Sequence, residues 1–118
     1  MSLAVRRKEF GGTVVLQLKG SFFSEDELQR AIMDDAGHGN RQLILNMAEC
    51  QMMNSVAIGA IMRGFANYRG RGGEIKLCCL PKRIDDLLTM TKLRQIFNVF
   101  DNEEAAVASF DAGTARPA

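Results

Sequence analysis

The stretch that most constrains the fold is an uninterrupted apolar run, Leu43-Ile44-Leu45, followed after a short gap by a long helix-like segment from Ser55 to Tyr68. A short apolar run between turn residues is typical of a strand that is covered on both faces. In the second segment, apolar residues recur at the i, i+3, i+4, i+7 spacing of a helix laid on a sheet: Ile58, Ile61, Met62 and Phe65. The stretch therefore predicts a central strand, Gln42 to Met47, with a helix packed against it.

The segments before and after this unit predict an α/β layer fold. Leu3 to Phe10 and Thr13 to Lys19 are expected strands joined at Gly11-Gly12, because glycine readily takes the positive φ of a tight hairpin. A helix follows, with a capping-box pattern at Ser24 to Glu27. Further along the chain we expect a strand at Glu74 to Leu80, a helix opened by Pro81 and a very short strand within Ile96 to Phe100. A last helix should follow, with Asp101-Asn102-Glu103-Glu104 as its cap. Strand-helix-strand units imply parallel pairing and the hairpin adds an antiparallel pair, so the sheet should be mixed.

Length and composition predict a single domain. The chain has 118 residues, of which 47% are hydrophobic, enough for one core and too few for two domains of ordinary size. We place the domain at residues 3–110. Residues 111–118 have little to bury and are expected to form a flexible tail.

Charge and hydropathy exclude several classes of function. The formal net charge is +1, so no global field attracts nucleic acid or an anionic membrane. No apolar run is long enough to cross a bilayer, and the N-terminus lacks a signal-peptide pattern, so we expect a cytoplasmic protein without direct contact to nucleic acid or insertion into a membrane. Three cysteines form no paired framework and suit a reducing compartment.

Residues capable of catalysis are dispersed along the chain. His38 is the only histidine and stands in a Gly-rich turn, where a solvated side chain is expected rather than a general base. Cys78 and Cys79 are adjacent in a predicted strand, so their side chains should point to opposite faces and could hardly hold one metal ion. The sequence therefore indicates neither an enzyme nor a metal or cofactor site.

Ser55 stands where the central strand gives way to the helix, and its hydroxyl has two interpretations. In the first, Asn54 or Ser55 caps the helix by accepting a hydrogen bond from a first-turn N–H, which contributes roughly 1 kcal/mol. In the second, Ser55 is a phosphorylation site, because a phosphate would bring about −1.5 to −2 charges to the positive end of the helix dipole. The residues alone leave both open.

The segments around Ser55 resemble the STAS domain, the family of anti-sigma factor antagonists and related sulfate-transporter domains. The resemblance covers Val5 to about Phe110. It is strongest at Leu43-Ile44-Leu45-Asn46-Met47 and at Asn54-Ser55-Val56-Ala57-Ile58-Gly59-Ala60-Ile61. There the family has an apolar strand ending in Asp, then Asp-Ser-Ser/Thr-Gly-Leu-Gly-Ala-Leu opening a helix. The Gly73 to Leu77 and Ile96-Phe97 segments also resemble the family.

The resemblance implies a single STAS-like domain with a mixed four- to five-stranded sheet and about four flanking helices. In antagonists of this family a serine-kinase anti-sigma factor phosphorylates the serine that matches Ser55, and a phosphatase reverses the modification. The unphosphorylated form captures the anti-sigma factor and frees the sigma factor. The resemblance thus predicts a regulatory protein switched at Ser55.

The same resemblance implies a partner-binding surface around the start of the second helix. Asn54 is expected to shape the loop of Ser55, and Phe23 lies in the first strand-to-helix loop. Exposed apolar side chains are expected to contact the partner, with core packing as the competing interpretation for all three: Met52, Met53 and Val56. The sequence leaves a homodimer open.

Departures from the family pattern supply an alternative function. The family commonly has Asp at the positions of Asn46, Asn54 and Phe23, and Gly at the position of Ala57. The absence of these three carboxylates is consistent with an interaction module that works without phosphorylation. Such a module could serve in a signalling scaffold or as a soluble partner of a membrane transporter.

Overall fold

A computed structural model describes residues 4–22 and 26–115, which form one mixed sheet of five strands and four helices. The elements in chain order are β1 (Ala4–Phe10), β2 (Thr13–Phe22), α1 (Asp26–Gly37), β3 (Gln42–Met53), α2 (Ser55–Gly70), β4 (Glu74–Cys78), α3 (Lys82–Met90), β5 (Val99–Phe100) and α4 (Glu103–Ala115). The strands lie in sequence order in the sheet. β1 and β2 are antiparallel and the remaining neighbours are parallel, so the predicted mixed α/β fold is confirmed.

The side chains of β3 divide the interior into two layers, because successive strand residues point to opposite faces. Leu43 and Leu45 pack in the larger core with α1, α2 and α3. Ile44 lies in a smaller core on the opposite face, where α4 contributes Ala106 and Phe110. β3 is the middle strand of the five, which confirms the prediction from its apolar run.

β2 and β3 extend further than the sequence predicts. β2 continues past Lys19 to Phe22, and β3 continues past Met47 to Met53, with register irregularities where the two pair. The extra pairing satisfies backbone groups of these two segments. The last hydrogen bond of the β2–β3 pairing runs from the Asn54 N–H to the Phe22 carbonyl, at 3.3 Å. It fixes the point where α2 begins.

The C-terminal half differs from prediction at several boundaries. β4 ends at Cys78, and Pro81 is the N-cap of α3 instead of its first residue. α4 is helical through Ala115, so helix extends into the segment expected to be a flexible tail. Leu3 and residues 116–118 lie outside the described residues, and the domain limits therefore stay predictions. Within residues 4–22 and 26–115, no helix is both long and apolar enough to span a membrane.

Candidate functional site

The N-cap of α2 is Asn54 and not Ser55. The Asn54 backbone is extended (φ −104°, ψ −177°), and its Oδ1 accepts a hydrogen bond of 3.0 Å from the Ala57 N–H. The Asn54 carbonyl accepts the Ile58 N–H at 3.0 Å, which starts the helical ladder. Ser55 is the first helical residue, and its exposed side chain makes no hydrogen bond to any described residue. The cap is therefore Asn54, and the Ser55 hydroxyl faces solvent.

The start of α2 is a favourable place for negative charge. The first turn of the helix contains no acidic residue. Among residues 4–22 and 26–115, no acceptor takes the backbone N–H of Ser55 or Val56. These free donors carry the positive end of the helix dipole, which stabilises an anion by about 0.3 to 1 kcal/mol at an exposed site. A phosphate on Ser55 would find hydrogen-bond donors within its own helical turn.

Replacing the cap should destabilise the fold measurably. Asn54→Ala removes the acceptor for the Ala57 N–H, and we expect the free energy of unfolding to fall by about 1 kcal/mol in urea denaturation. Ser55→Ala, one residue further on, is the matched control and should change it by less than about 0.5 kcal/mol. Equal losses in the two variants would contradict the assignment of Asn54 as the cap.

The three apolar residues predicted to contact a partner differ in how much of each side chain is exposed. Met52 is 39% exposed and Val56 is 44% exposed, so both lie on the surface beside Ser55. The core-packing interpretation is therefore wrong for Val56. Met53 is only 2% exposed, pairs with Phe22 across β2 and β3, and belongs to the larger core, so its expected role as an exposed contact is wrong. Phe23 lies outside the described residues, and its proposed contact stays a prediction.

Asn46 lies far from Ser55 and serves a different contact. Met53 is seven positions further along β3, on the order of 20 Å of extended chain. The Asn46 side chain is buried on the face covered by α4, where its Nδ2 donates to the Glu103 carboxylate and its Oδ1 accepts the Ala48 N–H at 2.9 Å. The expectation that Asn46 replaces a carboxylate near the acceptor serine is corrected by this geometry. Its amide helps to hold α4 on the sheet.

Glu103 is the residue of this contact that sequence reasoning missed. Its carboxylate accepts hydrogen bonds from Asn46, from Gln17 Nε2 at 2.9 Å and from Lys8 Nζ at 3.0 Å. Burial alone would raise the pKa of Glu103, but these three donors and the Lys8 charge outweigh it and lower that pKa below its ordinary value. An acidic residue in a first helical turn is a recognisable cap signal, whereas its partners on β1, β2 and β3 appear only in three dimensions.

Removing the Glu103 charge should weaken the fold in a pH-dependent way. Because the pKa of Glu103 is lowered on folding, its contribution is complete above the ordinary value of 4.5 and is lost as the pH falls through the lowered value. We expect Glu103→Gln to lower the free energy of unfolding by roughly 2 kcal/mol at neutral pH. The difference from the parent protein should shrink in acid.

Glu104 provides the control for this prediction because it is exposed and stands next to Glu103 in the first turn of α4. Glu104→Gln should leave urea denaturation nearly unchanged across the same pH series. A Glu103→Gln deficit that persists undiminished well below pH 4.5 would contradict the role given to the ionised carboxylate.

The surface near the start of α3 carries an open groove of about 740 Å³. Charged side chains of both signs line it: Lys19, Glu49, Lys82 and Arg83. Each cation has a nearby acceptor. Lys19 pairs with Glu49 at 3.8 Å, Lys82 pairs with Asp86 at 3.0 Å, and Arg83 donates to the Gln51 carbonyl at 3.0 Å. Among the described residues, no cluster of three or more His, Cys, Asp or Glu side chains could hold a metal ion.

A comparison of the chain with known protein families identifies the family of this domain. Residues 4–106 match the STAS domain, which is most of the chain. The chain belongs to the STAS domain family. The match includes β3, the α2 start with Ser55, and the sheet that carries them, as the sequence resemblance implies.

Relatives of this STAS domain carry names from sigma-factor regulation. The chain is 25% identical over 114 residues to the anti-sigma F factor antagonist of Paenibacillus polymyxa, covering 94% of this chain and 97% of that protein. The fold superposes with a TM-score of 0.84 on a candidate anti-sigma factor antagonist from Thermotoga maritima, at 17% identity and covering 89% and 92% of the two chains. It also superposes with a TM-score of 0.73 on the Bacillus cell fate determinant SpoIIAA in its phosphorylated form, at 17% identity and covering 91% and 99%. The two structures show that the fold is shared.

Proposed function

We propose that this STAS domain is an anti-sigma factor antagonist-like regulator that binds a serine-kinase anti-sigma factor and is switched by phosphorylation at Ser55. The observation that carries the proposal is the exposed Ser55 hydroxyl at the first position of α2, which makes no hydrogen bond to any described residue. The names of the relatives point to the same class of partner. In this proposal the protein acts in the cytoplasm as a binding partner and not as an enzyme, and a phosphatase resets it.

The surface around Ser55 suits a contact that a phosphate could block. Met52 and Val56, three positions before and one position after Ser55 in the chain, have exposed apolar side chains. A partner packed on them would exclude water from Ser55, which is tolerable for a neutral hydroxyl but costly for a phosphate that must lose its hydration. Phosphorylation would therefore oppose docking through desolvation and through repulsion of acidic groups on the partner.

The same phosphate should leave the fold of the antagonist intact. Ser55 lies outside both cores, and the N–H groups of Ser55 and Val56, which have no acceptor among the described residues, can donate hydrogen bonds to the phosphate. The switch would then change binding without unfolding the domain. This separation of binding from stability is the property that a reversible regulator requires.

The direct test is the phosphorylation state of the protein in its native host. Intact mass followed by peptide mapping across Gln51 to Arg63 should reveal a phosphoryl group on Ser55 in part of the population. Serine that stays unmodified during both growth and stress would overturn the switch. That outcome would favour the constitutive interaction module, whether in a signalling scaffold or beside a membrane transporter.

A further inference from the structure

The end of β4 carries two adjacent cysteines whose side chains lie on the same face of the sheet. Cys78 is fully buried in the smaller core with Ala106 and Phe110 of α4. Cys79 is half-buried and packs against that same core. The prediction that their side chains point to opposite faces is therefore wrong. Both thiols are free.

The cause is a left-handed backbone conformation at Cys79. Its φ is +61°, a region that residues other than glycine, asparagine and aspartate seldom adopt. The Cys79 N–H donates to the Phe100 carbonyl at 3.0 Å, so pairing with the β5 side holds the backbone there. The strand alternation breaks at this residue and the Cys79 side chain returns to the α4 face. Both cysteine side chains therefore pack with the smaller core.

The environment keeps Cys78 in the thiol form. Burial raises the pKa of Cys78, and the neighbouring Cys79 raises it further. Since thiolate is the form that reacts with oxidants, Cys78 is poorly suited to a peroxide-sensing role. A reagent that bonds to both sulfurs and leaves an uncharged product is better suited to this partly buried site.

We propose that Cys78 and Cys79 form a vicinal-dithiol site that captures organic trivalent arsenicals. An arsenical oxide, R–As=O, would exchange its oxygen for the two sulfurs. Two As–S bonds form, the arsenic–oxygen bond breaks, and the two S–H protons leave with that oxygen as one water molecule, with no change of oxidation state. The product is an uncharged ring in which the protein supplies two soft sulfur ligands and the organic group fills the third position on arsenic.

The arrangement favours an arsenical over a metal cation because only two ligands are required. A structural zinc ion takes four ligands, and no cluster of three or more suitable side chains occurs among the described residues. The half-buried Cys79 provides the point of entry, and Cys78 closes the ring from the core side. The site is separate from Ser55, so the proposal does not rest on the regulatory function.

The experiment uses the reduced full chain and phenylarsine oxide as the probe. The chain is titrated under native conditions and its intact mass is then measured. We expect one adduct, in which the mass of the protein increases by that of a phenylarsenic group less the two thiol hydrogens. A small dithiol should remove the group and an equal concentration of a monothiol should not. Cys79→Ser, with retained thermal unfolding as proof of folding, should weaken binding by roughly 100-fold because the second sulfur is lost.

Cys50 is the internal control because it is a single buried thiol in the other core, and burial raises its pKa to about 11. Cys50→Ala should bind phenylarsine oxide as tightly as the parent chain, and peptide mapping should place the group on the Cys78-Cys79 segment. Three outcomes would overturn the proposal. These are no adduct on the folded chain, undiminished affinity in the folded Cys79→Ser variant, or an adduct that forms only after denaturation.

Discussion

Replacing Ser55 with aspartate is expected to weaken binding of the proposed partner, a serine-kinase anti-sigma factor, by roughly 100-fold, equivalent to about 3 kcal/mol. The added carboxylate would belong to the proposed contact surface, which also contains the exposed apolar side chains of Met52 and Val56. Docking would have to strip water from that charge without providing a partner for it. The measurement is calorimetric titration of the purified domain against each anti-sigma factor kinase of the host.

Two variants at the same position separate charge from shape. Ser55→Asn is nearly the same size as aspartate and neutral, and it should retain most of the affinity. Ser55→Ala should bind well but accept no phosphate from the kinase. Full affinity in Ser55→Asp, or an equal loss in Ser55→Asn, would contradict a switch that works through charge.

The stability of the Ser55→Asp variant gives an independent check on the mechanism. Because aspartate would occupy the positive end of the α2 dipole, its free energy of unfolding should match or exceed the parent value by up to about 1 kcal/mol. Weak binding by a destabilised protein would instead indicate that the substitution damages the fold. The proposal requires the loss of binding to occur without a loss of stability.

Gly73→Ala is expected to lower the free energy of unfolding by about 3 kcal/mol, as measured by urea denaturation. Gly73 lies between α2 and β4, and an added Cβ would be 2.9 Å from the Arg41 Cα and closer still to the Arg41 carbonyl oxygen. These are backbone atoms that cannot step aside. The Glu74 N–H donates to that same carbonyl at 2.9 Å, at the first rung between β3 and β4.

Gly70 is the matched control because an added Cβ there would meet no atom within 4 Å. It is the last residue of α2, so Gly70→Ala should stabilise the protein slightly, by about 0.5 kcal/mol, through reduced freedom of the unfolded chain. Similar losses in both variants would mean that the close approach of Gly73 to Arg41 is not the cause.

The presence of the strands, the central one among them, and the mixed sense of their pairing could be predicted from the sequence because they depend on local patterns. The Leu43-Ile44-Leu45 run identified the central strand, and Gly11-Gly12 identified the hairpin, where Gly11 has a φ of +61°. The place of Ser55 at the start of a helix followed from the same reasoning. Each of these features is encoded within about ten neighbouring residues, which is the range of hydrophobic periodicity and turn chemistry.

The surface around Ser55 required the tertiary structure. Met52 and Met53 are adjacent and chemically identical, yet one is exposed and the other is buried beneath the added rung with Phe22. That rung joins residues about thirty positions apart in the chain, and no local pattern indicates it.

The contacts on the face of the sheet covered by α4 could not be predicted from the sequence either. Asn46 and Glu103 are 57 positions apart, and Cys79 leaves strand alternation only where it pairs beside Phe100. The sequence by itself determined which segments are strands and helices, because backbone hydrogen bonding and apolar burial follow repeating local rules. The tertiary structure decided which individual side chains meet or face water, because burial and polar pairing depend on the distant segments that the fold brings together.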